Sequence, residues 1–493
     1  MCGIAGVIGD SDASIVRKML AMLRHRGPDD TGIFTDDEFA VGQTRLSIID
    51  LAGGHQPIVG EGGDSCIAMN GEIYNYRTLA AGLTGHDFTT RTDSEVALHL
   101  YEDHGEKMPG MLDGMFAMAV RSGKQTMLAR DPLGIKPLYY SDTDGVLYFA
   151  SEIKALLLAT DNIKMFPPGM TYVHGRGFRR FWIPPTIPLK EDISPEACAS
   201  TLRMLLSKAV EKRLMTEVPL GTLLSGGLDS TIITSLARQG MERLHTFVTG
   251  MEGSDDVEFS LQAAEHVGTE HHSVIFTRED VIRRLPEVVR SLESFDAALV
   301  RSAIPTHFVS ELARRYVKVV LMGEGADELF AGYRYLKDFS ANALHEELLR
   351  ITLELSHLNL QRADRMTMAH SLEGRVPFLD IDLVSFALRL PPSLKLQGDE
   401  GTEKQILRKA FRDLIPESIA NRPKKKFAEG AGSARVVSQI AEEEITDKEF
   451  QHEVQRMGIV KLHTKEELYL LRIFRKYYPQ DSVLRLVGRT KIY

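Results

Sequence analysis

A seven-residue turn, Ser225-Gly226-Gly227-Leu228-Asp229-Ser230-Thr231, constrains the fold of this chain more than any other segment. An apolar run at 218–224 leads into it, and a helical pattern leaves it from about Ser230. Glycines let backbone N–H groups approach an anion, and the N-terminus of the following helix carries about half a positive charge. The same order recurs downstream. A run at 244–249 precedes a helix at 258–267, and a run at 317–321 precedes a second turn, Met322-Gly323-Glu324-Gly325-Ala326-Asp327-Glu328-Leu329-Phe330-Ala331-Gly332-Tyr333. Strand, loop and helix in alternation predict a parallel α/β sheet, in which ligands gather beyond the carboxyl ends of the strands. Both glycine-rich turns fall there.

In the first turn Ser230 and Thr231 offer hydroxyl donors. Asp229 would repel a bare phosphate, so its presence suggests a bridging Mg²⁺. No Gly-Lys-Ser/Thr is present, which excludes a Walker A loop. A glycine-rich turn with an Asp cap is common in α/β folds, but the full run in this setting points to phosphate. The second turn places Glu324, Asp327 and Glu328 within five residues. Alone it reads as a solvated acidic turn. Facing the first turn across a sheet edge, it can supply a second Mg²⁺ carboxylate and an acid/base group. Asp229 and Asp327 are the expected metal ligands.

The region up to about residue 180 has another texture. Short apolar runs at 4–8, 65–69, 115–120, 127–129 and 147–150 are broken by Gly, Asp and Asn and predict strands of a β-rich layered domain. Helical patterns interleave at 13–24 and 94–103. The proline-rich stretch 182–188 can continue neither a helix nor a central strand and is the expected linker. A helix at 195–214 follows, with Leu202, Leu205, Leu206, Ala209 and Val210 on one face. A chain of 493 residues exceeds one ordinary core, and the expected division is 2–185 and 195–493. The amphipathic pattern at 465–477 is expected to pack into a core.

Net charge is 59 − 68 = −9, and the densest basic run is only Lys424-Lys425-Lys426. That argues against a general nucleic-acid or anionic-membrane binder. Three cysteines speak against a disulfide framework; Cys66 and Cys198 are expected to be inert core residues. With no leader before Cys2 and no apolar stretch near 18 residues, the expected location is the cytoplasm.

Cys2 follows Met1 directly. Removal of Met1 would leave a residue carrying both a thiol nucleophile and an α-amine base. Behind it come His25-Arg26-Gly27-Pro28-Asp29, Arg45-Leu46-Ser47-Ile48-Ile49-Asp50, Asn70-Gly71-Glu72-Ile73-Tyr74-Asn75, Arg91-Thr92-Asp93-Ser94-Glu95 and Ala129-Arg130-Asp131-Pro132-Leu133-Gly134-Ile135-Lys136. Arg45 can pair with a carboxylate in a forked geometry. Asp93 can face an ammonium. Asn70 and the Gly71 N–H suit an oxyanion hole. With Cys2-Gly3-Ile4 these strings closely resemble the class II, N-terminal-nucleophile glutamine amidotransferases. The Ser225–Thr231 run resembles the pyrophosphate loop of the ATP pyrophosphatases. Together, over nearly the whole chain, they resemble the glutamine-hydrolysing asparagine synthetases.

The resemblance implies a four-layer αββα N-terminal-nucleophile hydrolase domain followed by a parallel α/β ATP-pyrophosphatase domain. It implies Cys2, Asn70, Gly71 and Glu324 as catalytic residues, and Arg45, Leu46, Ser47, Ile48, Ile49, Asn70, Gly71, Glu72 and Asp93 around glutamine. For ATP it implies Leu223, Ser225, Gly226, Gly227, Asp229, Ser230, Thr249, Met322, Gly323, Arg301 and Lys424. The expected ligands are glutamine, aspartate, ATP and Mg²⁺, with no nucleic acid or membrane; a homodimer is the expected assembly. Three departures stand out. Met322 and Thr231 occupy positions where many members have Ser, and Phe427-Ala428-Glu429-Gly430 differs from the usual Ser-Asp after Phe. The last borders the acceptor site in the family, so a second reading amidates a different carboxylate. A third, a non-catalytic relative, should have lost Cys2, Asp229 or Glu324, and all are present.

Overall fold

The structure is a computed structural model that describes residues 2–143, 145–187, 193–397 and 402–490. Met1, whose removal the sequence anticipates, and Pro188, the last residue of the expected linker, lie outside them.

The N-terminal part consists of two six-stranded antiparallel sheets laid face to face. The strand Gly3–Ile8 explains the stacking. Side chains alternate between the faces of a strand, so Ile4 and Ile8 point one way and Ala5 and Val7 the other. Ile4 and Ile8 pack with Cys66, Ala68, Ala117, Ala119 and Leu128 of the second sheet. Ala5 and Val7 meet Val16, Met19, Leu20 and Leu23 of the helix Ala13–Leu23. That helix is capped by Asp12, whose side chain accepts from the N–H groups of Ser14 and Ile15. Beyond the second sheet, Ile67, Met69 and Ile73 of Ser65–Ile73 meet Val96, Ala97, Leu100 and Tyr101 of the helix Asp93–His104. The order is helix, sheet, sheet, helix, the four-layer arrangement that the resemblance implied. Buried Gln43 ties the sheets together by donating from Nε2 to Met69 O at 2.6 Å.

The C-terminal part holds a five-stranded sheet in the order Glu270–Ile275, His245–Gly250, Leu220–Leu223, Val319–Leu321, Glu373–Arg375. Every pairing in it is parallel. The chain steps outward from Leu220–Leu223 through the first two neighbours, then returns to the other side with Val319–Leu321. The direction of travel reverses between Leu220–Leu223 and Val319–Leu321, so the two turns that follow these strands open into one crevice.

The two parts share a core. Leu46, Ile48, Ile49 and Tyr74 from the first join the same apolar cluster as Leu202, Leu206 and Val210 of the helix Pro195–Arg213. The helix Lys465–Tyr477 buries Leu468, Leu470, Leu471, Ile473 and Phe474, as its pattern predicts. Among the described residues no helix is long and apolar enough to cross a membrane.

A Cβ on Gly6 would lie 2.3 Å from Phe149 Cζ and 2.7 Å from Ala40 O. Gly6→Ala should therefore lower stability by about 1–3 kcal/mol through overpacking, seen as a lower urea midpoint. An unchanged midpoint would contradict the packing described for this strand.

Candidate functional site

Cys2 stands at the head of the central Gly3–Ile8 strand and is buried. Its backbone N donates to Asn70 Oδ1 at 3.1 Å. That bond orients the Asn70 amide and leaves its Nδ2 buried without a partner. An orphaned buried donor costs about 1–3 kcal/mol, and it is the group a developing oxyanion needs. Asn70 and Gly71 lie within a strand rather than at a turn. A Cβ on Gly71 would fall 2.2 Å from Met115 O, so the strand pairing itself demands glycine. Burial pushes the Cys2 thiol up, while a hydrogen bond from the Leu46 backbone and the charge of Arg45 oppose the rise. A thiol held protonated needs a base close by, and removal of Met1 would free one on the same residue.

The remaining residues of the first set gather around this point. Arg45 donates from Nη2 to Ile49 O at 3.1 Å and to Asp50 O at 2.7 Å, which shapes the 46–51 loop. The side chains of Leu46, Ile48 and Ile49 turn into the shared core, so only their backbone can serve a ligand there. Ser47 N donates to Asp29 Oδ2 at 2.9 Å. Glu72 is buried 3.6 Å from Arg375 of the second part, and burial, helped by Glu373, raises its carboxyl well above the ordinary range. Asp93 starts the helix Asp93–His104, capped by Thr92. Its Oδ2 accepts from Ile73 N at 2.7 Å, and burial pushes its carboxyl up to about 6.

The second site is the crevice at the sheet reversal, a cavity of about 870 Å³. Leu223, Ser225, Gly227, Asp229, Ser230, Thr249, Met322, Gly323, Glu324, Asp327 and Lys424 all line it. Gly226 stands behind this wall. Its φ is +66°, and a Cβ there would lie 2.3 Å from Phe259 C, so glycine is required on both counts. Ser225 Oγ and Ser230 Oγ are 3.2 Å apart. Gly323 approaches the first turn so closely that a Cβ would sit 3.3 Å from Ser230 N.

Two expectations need correction. Thr231 does not face the cavity: it is fully buried, and its hydroxyl donates to Gly227 O at 2.8 Å, the backward bond open to a Thr inside a helix. Arg301 is also turned away. Its guanidinium pairs with Glu466 of the helix Lys465–Tyr477, with Nε at 2.8 Å from Oε1. Its neighbours Ala298 and Ser302 line the cavity instead.

Asp229 and Asp327 come together around two lysines. Lys404 Nζ bridges Asp229 Oδ2 and Asp327 Oδ1, and Lys424 Nζ lies 2.7 Å from Asp327 Oδ2 and 3.9 Å from Asp229 Oδ2. Asp229 Oδ1 is buried without a hydrogen bond, whereas both oxygens of Asp327 face a lysine. Despite burial, Lys404 and Lys424 hold the Asp327 carboxyl well below the usual carboxylate range. Two neighbouring carboxylates, one with an oxygen to spare, fit a Mg²⁺ that keeps most of its shell for water and phosphate.

Lys404 and Arg422 were not anticipated as site residues. Lys404 adopts a left-handed backbone (φ 56°) before the helix Gln405–Phe411, far from either glycine-rich turn in sequence. Arg422 lines the crevice and donates to Ser225 O at 3.0 Å and to Asp256 Oδ1 at 2.7 Å, bracing the first turn. Glu324 pairs with Arg362. Glu328 accepts from Tyr333 Oη at 2.5 Å and Asn359 Nδ2 at 2.9 Å, and burial together with the nearby Asp327 charge pushes it up to about 7.

Comparison with known proteins decides the lineage. A glutamine amidotransferase domain model matches residues 1–169, and an asparagine synthase model matches 201–342 and 340–479. The chain belongs to the asparagine synthase family. A glutamine-hydrolyzing asparagine synthetase from Triphysaria versicolor is 37% identical over 98% of this chain and 87% of its own length. Asparagine synthetase 3 of Arabidopsis thaliana is 36% identical over 98% and 88%. The root enzyme of Pisum sativum is 37% identical over the same shares.

The raised Asp93 carboxyl makes the first pocket pH-sensitive. Its charge is present above about pH 6 and is lost as pH falls through that value. With glutamine as the probe, calorimetric titration of the Cys2→Ala variant from pH 8 to pH 5 should show affinity falling below about pH 6. A flat profile would remove Asp93 as the ammonium counter-charge.

Proposed function

We propose that this chain makes asparagine from aspartate, with glutamine as the nitrogen donor and ATP as the activating substrate. Residues 2–185 act as the glutaminase and 195–493 as the synthetase. The observation that carries this is the pairing of two unfilled needs on one chain. Asn70 Nδ2 is an orphaned donor beside Cys2, and Asp229 keeps an orphaned oxygen in the crevice next to the lysine-paired Asp327.

In the glutaminase, Arg45 and Asp93 take the α-carboxylate and α-ammonium of glutamine. The Cys2 thiol attacks the side-chain amide carbon while its proton passes to the freed α-amine. The oxyanion forms against Asn70 Nδ2 and the Gly71 N–H. Collapse expels ammonia and leaves a thioester, which water converts to glutamate.

In the synthetase, the adenosine of ATP lies along Leu223, Thr249, Met322 and Gly323. Its phosphates lie on the Ser225–Ser230 turn and the helix N-terminus behind it. Asp229 and Asp327 would hold Mg²⁺, which supplies charge neutralisation when bound. Lys404 and Lys424, now spent on these aspartates, are placed to turn to the phosphates. The β-carboxylate of aspartate attacks the α-phosphorus and pyrophosphate leaves. Glu324 promotes this step, and ammonia then displaces AMP from the acyl-adenylate. Free ammonia is mostly ammonium in neutral water, so its transfer belongs inside the interface that the two halves share.

Cys2→Ala tests the division of labour. Glutamine-dependent synthesis should fall by about 10⁴-fold or more, with ammonia-dependent synthesis kept. Loss of both activities in a folded variant would sink the two-site account.

A further inference from the structure

Arg26 is fully buried between the two halves. Its Nε donates to the backbone carbonyl of Cys2 at 2.9 Å. Its Nη1 reaches Glu152 Oε1 at 2.7 Å and Asp364 Oδ2 at 2.7 Å, and its Nη2 reaches Asp364 Oδ1 at 3.0 Å. Asp364 belongs to the helix Asn359–Met368 of the synthetase half. The next residue, Arg365, makes a second tie. It donates to Ser151 O at 3.3 Å and to Glu293 Oε2 at 2.9 Å, and Ser151 Oγ accepts from Ile4 N at 2.9 Å. One helix therefore grips both Cys2 and Ile4 from beneath.

The same helix carries Arg362, which lines the crevice and pairs with Glu324. Residues two apart on a helix point about 200° away from each other. Arg362 thus faces the crevice while Asp364 faces the glutaminase half. A buried ion-pair network of this size is weak evidence for stability, because desolvation offsets much of the attraction. Its directed geometry, from a crevice residue to the carbonyl of the nucleophile, is what needs explaining.

We propose that Asp364 is a positioning residue: through Arg26 it sets the backbone of Cys2 according to the state of the Arg362–Glu324 pair. Ligands that fill the crevice and re-pair Arg362 then shift the helix and change how the Cys2 pocket holds glutamine. This rests on the two-site function above and extends it to communication between the sites. Cys2 takes part through its backbone, so the link survives removal of the thiol.

The Cys2→Ala variant binds glutamine without consuming it and is the background for the test. Its glutamine Kd should differ by about fivefold or more between an empty crevice and one filled with a non-hydrolysable ATP analogue plus aspartate. By linkage, glutamine should shift the affinity for the ATP analogue, measured with aspartate present, by the same factor. Adding Asp364→Asn, which keeps shape but loses the charge, should shrink the glutamine ratio to under about twofold. A purely structural role would move both Kd values together and leave their ratio intact. If Asp364→Asn does not fold, Arg26→Lys gives the same comparison, since one ammonium cannot hold Cys2 O and both Asp364 oxygens. A ratio near one in Cys2→Ala alone, or a ratio that persists in a folded Asp364→Asn or Arg26→Lys variant, overturns the proposal. Ammonia-dependent synthesis, measured in parallel, reports on the two-site function separately.

Discussion

The guanidinium of Arg26 is the point on which both halves depend. It is buried, so each of its donors must find an acceptor or cost stability. The acceptors it finds come from three places: the carbonyl of Cys2, Glu152 after the strand Val146–Ala150, and Asp364 in the synthetase half. Satisfying one cation therefore fixes the head of the nucleophile strand against the helix that carries Asp364, 338 residues beyond Arg26 in sequence. The apolar cluster shared by Leu46, Ile48 and Ile49 with Leu202 and Leu206 adds non-directional adhesion. Dispersion and burial hold the halves together, while Arg26 determines how they are aligned.

The two sites obey one electrostatic logic in opposite senses. Around Cys2, burial raises the thiol, Asp93 and Glu72 together, so the pocket favours a ligand that brings its own cation. In the crevice, two lysines hold Asp327 ionised in spite of burial. A pocket with paired charges and a spare oxygen on Asp229 is prepared for a polyanion and its metal, which can exchange partners with little new desolvation.

Much of this was legible in the sequence, for identifiable reasons. The parallel sheet followed from strand-turn-helix order; two glycine-rich turns with local backbone demands pointed to Asp229, Ser230 and Asp327, while Leu223, Thr249 and Lys424 came only from the family resemblance. The helix at Lys465–Tyr477 was evident from its 3.6-residue period. The strands Asp30–Thr35 and Phe39–Arg45 were not evident. The second is buried throughout, its small and polar residues breaking any two-residue alternation, with Gln43 and Thr44 buried through hydrogen bonds. Asn70-Gly71 resembles a turn locally, yet pairs within a nine-residue strand because Gly71 fits against Met115. Thr231 went astray because its hydroxyl turns back to Gly227 O within its own helix, and Arg301 because a distant partner, Glu466, claimed it. Lys404 left no local trace, since its role arises only when a distant segment folds over the crevice.

The central claim is that nitrogen freed at Cys2 reaches the adenylated carboxylate without entering bulk water. The direct measurement is synthesis from amide-¹⁵N-glutamine in the presence of excess unlabelled ammonium, read by mass spectrometry of the asparagine formed. The account predicts asparagine carrying ¹⁵N well above the isotopic ratio of the bulk ammonium pool. Asparagine whose label simply matches that pool would contradict it.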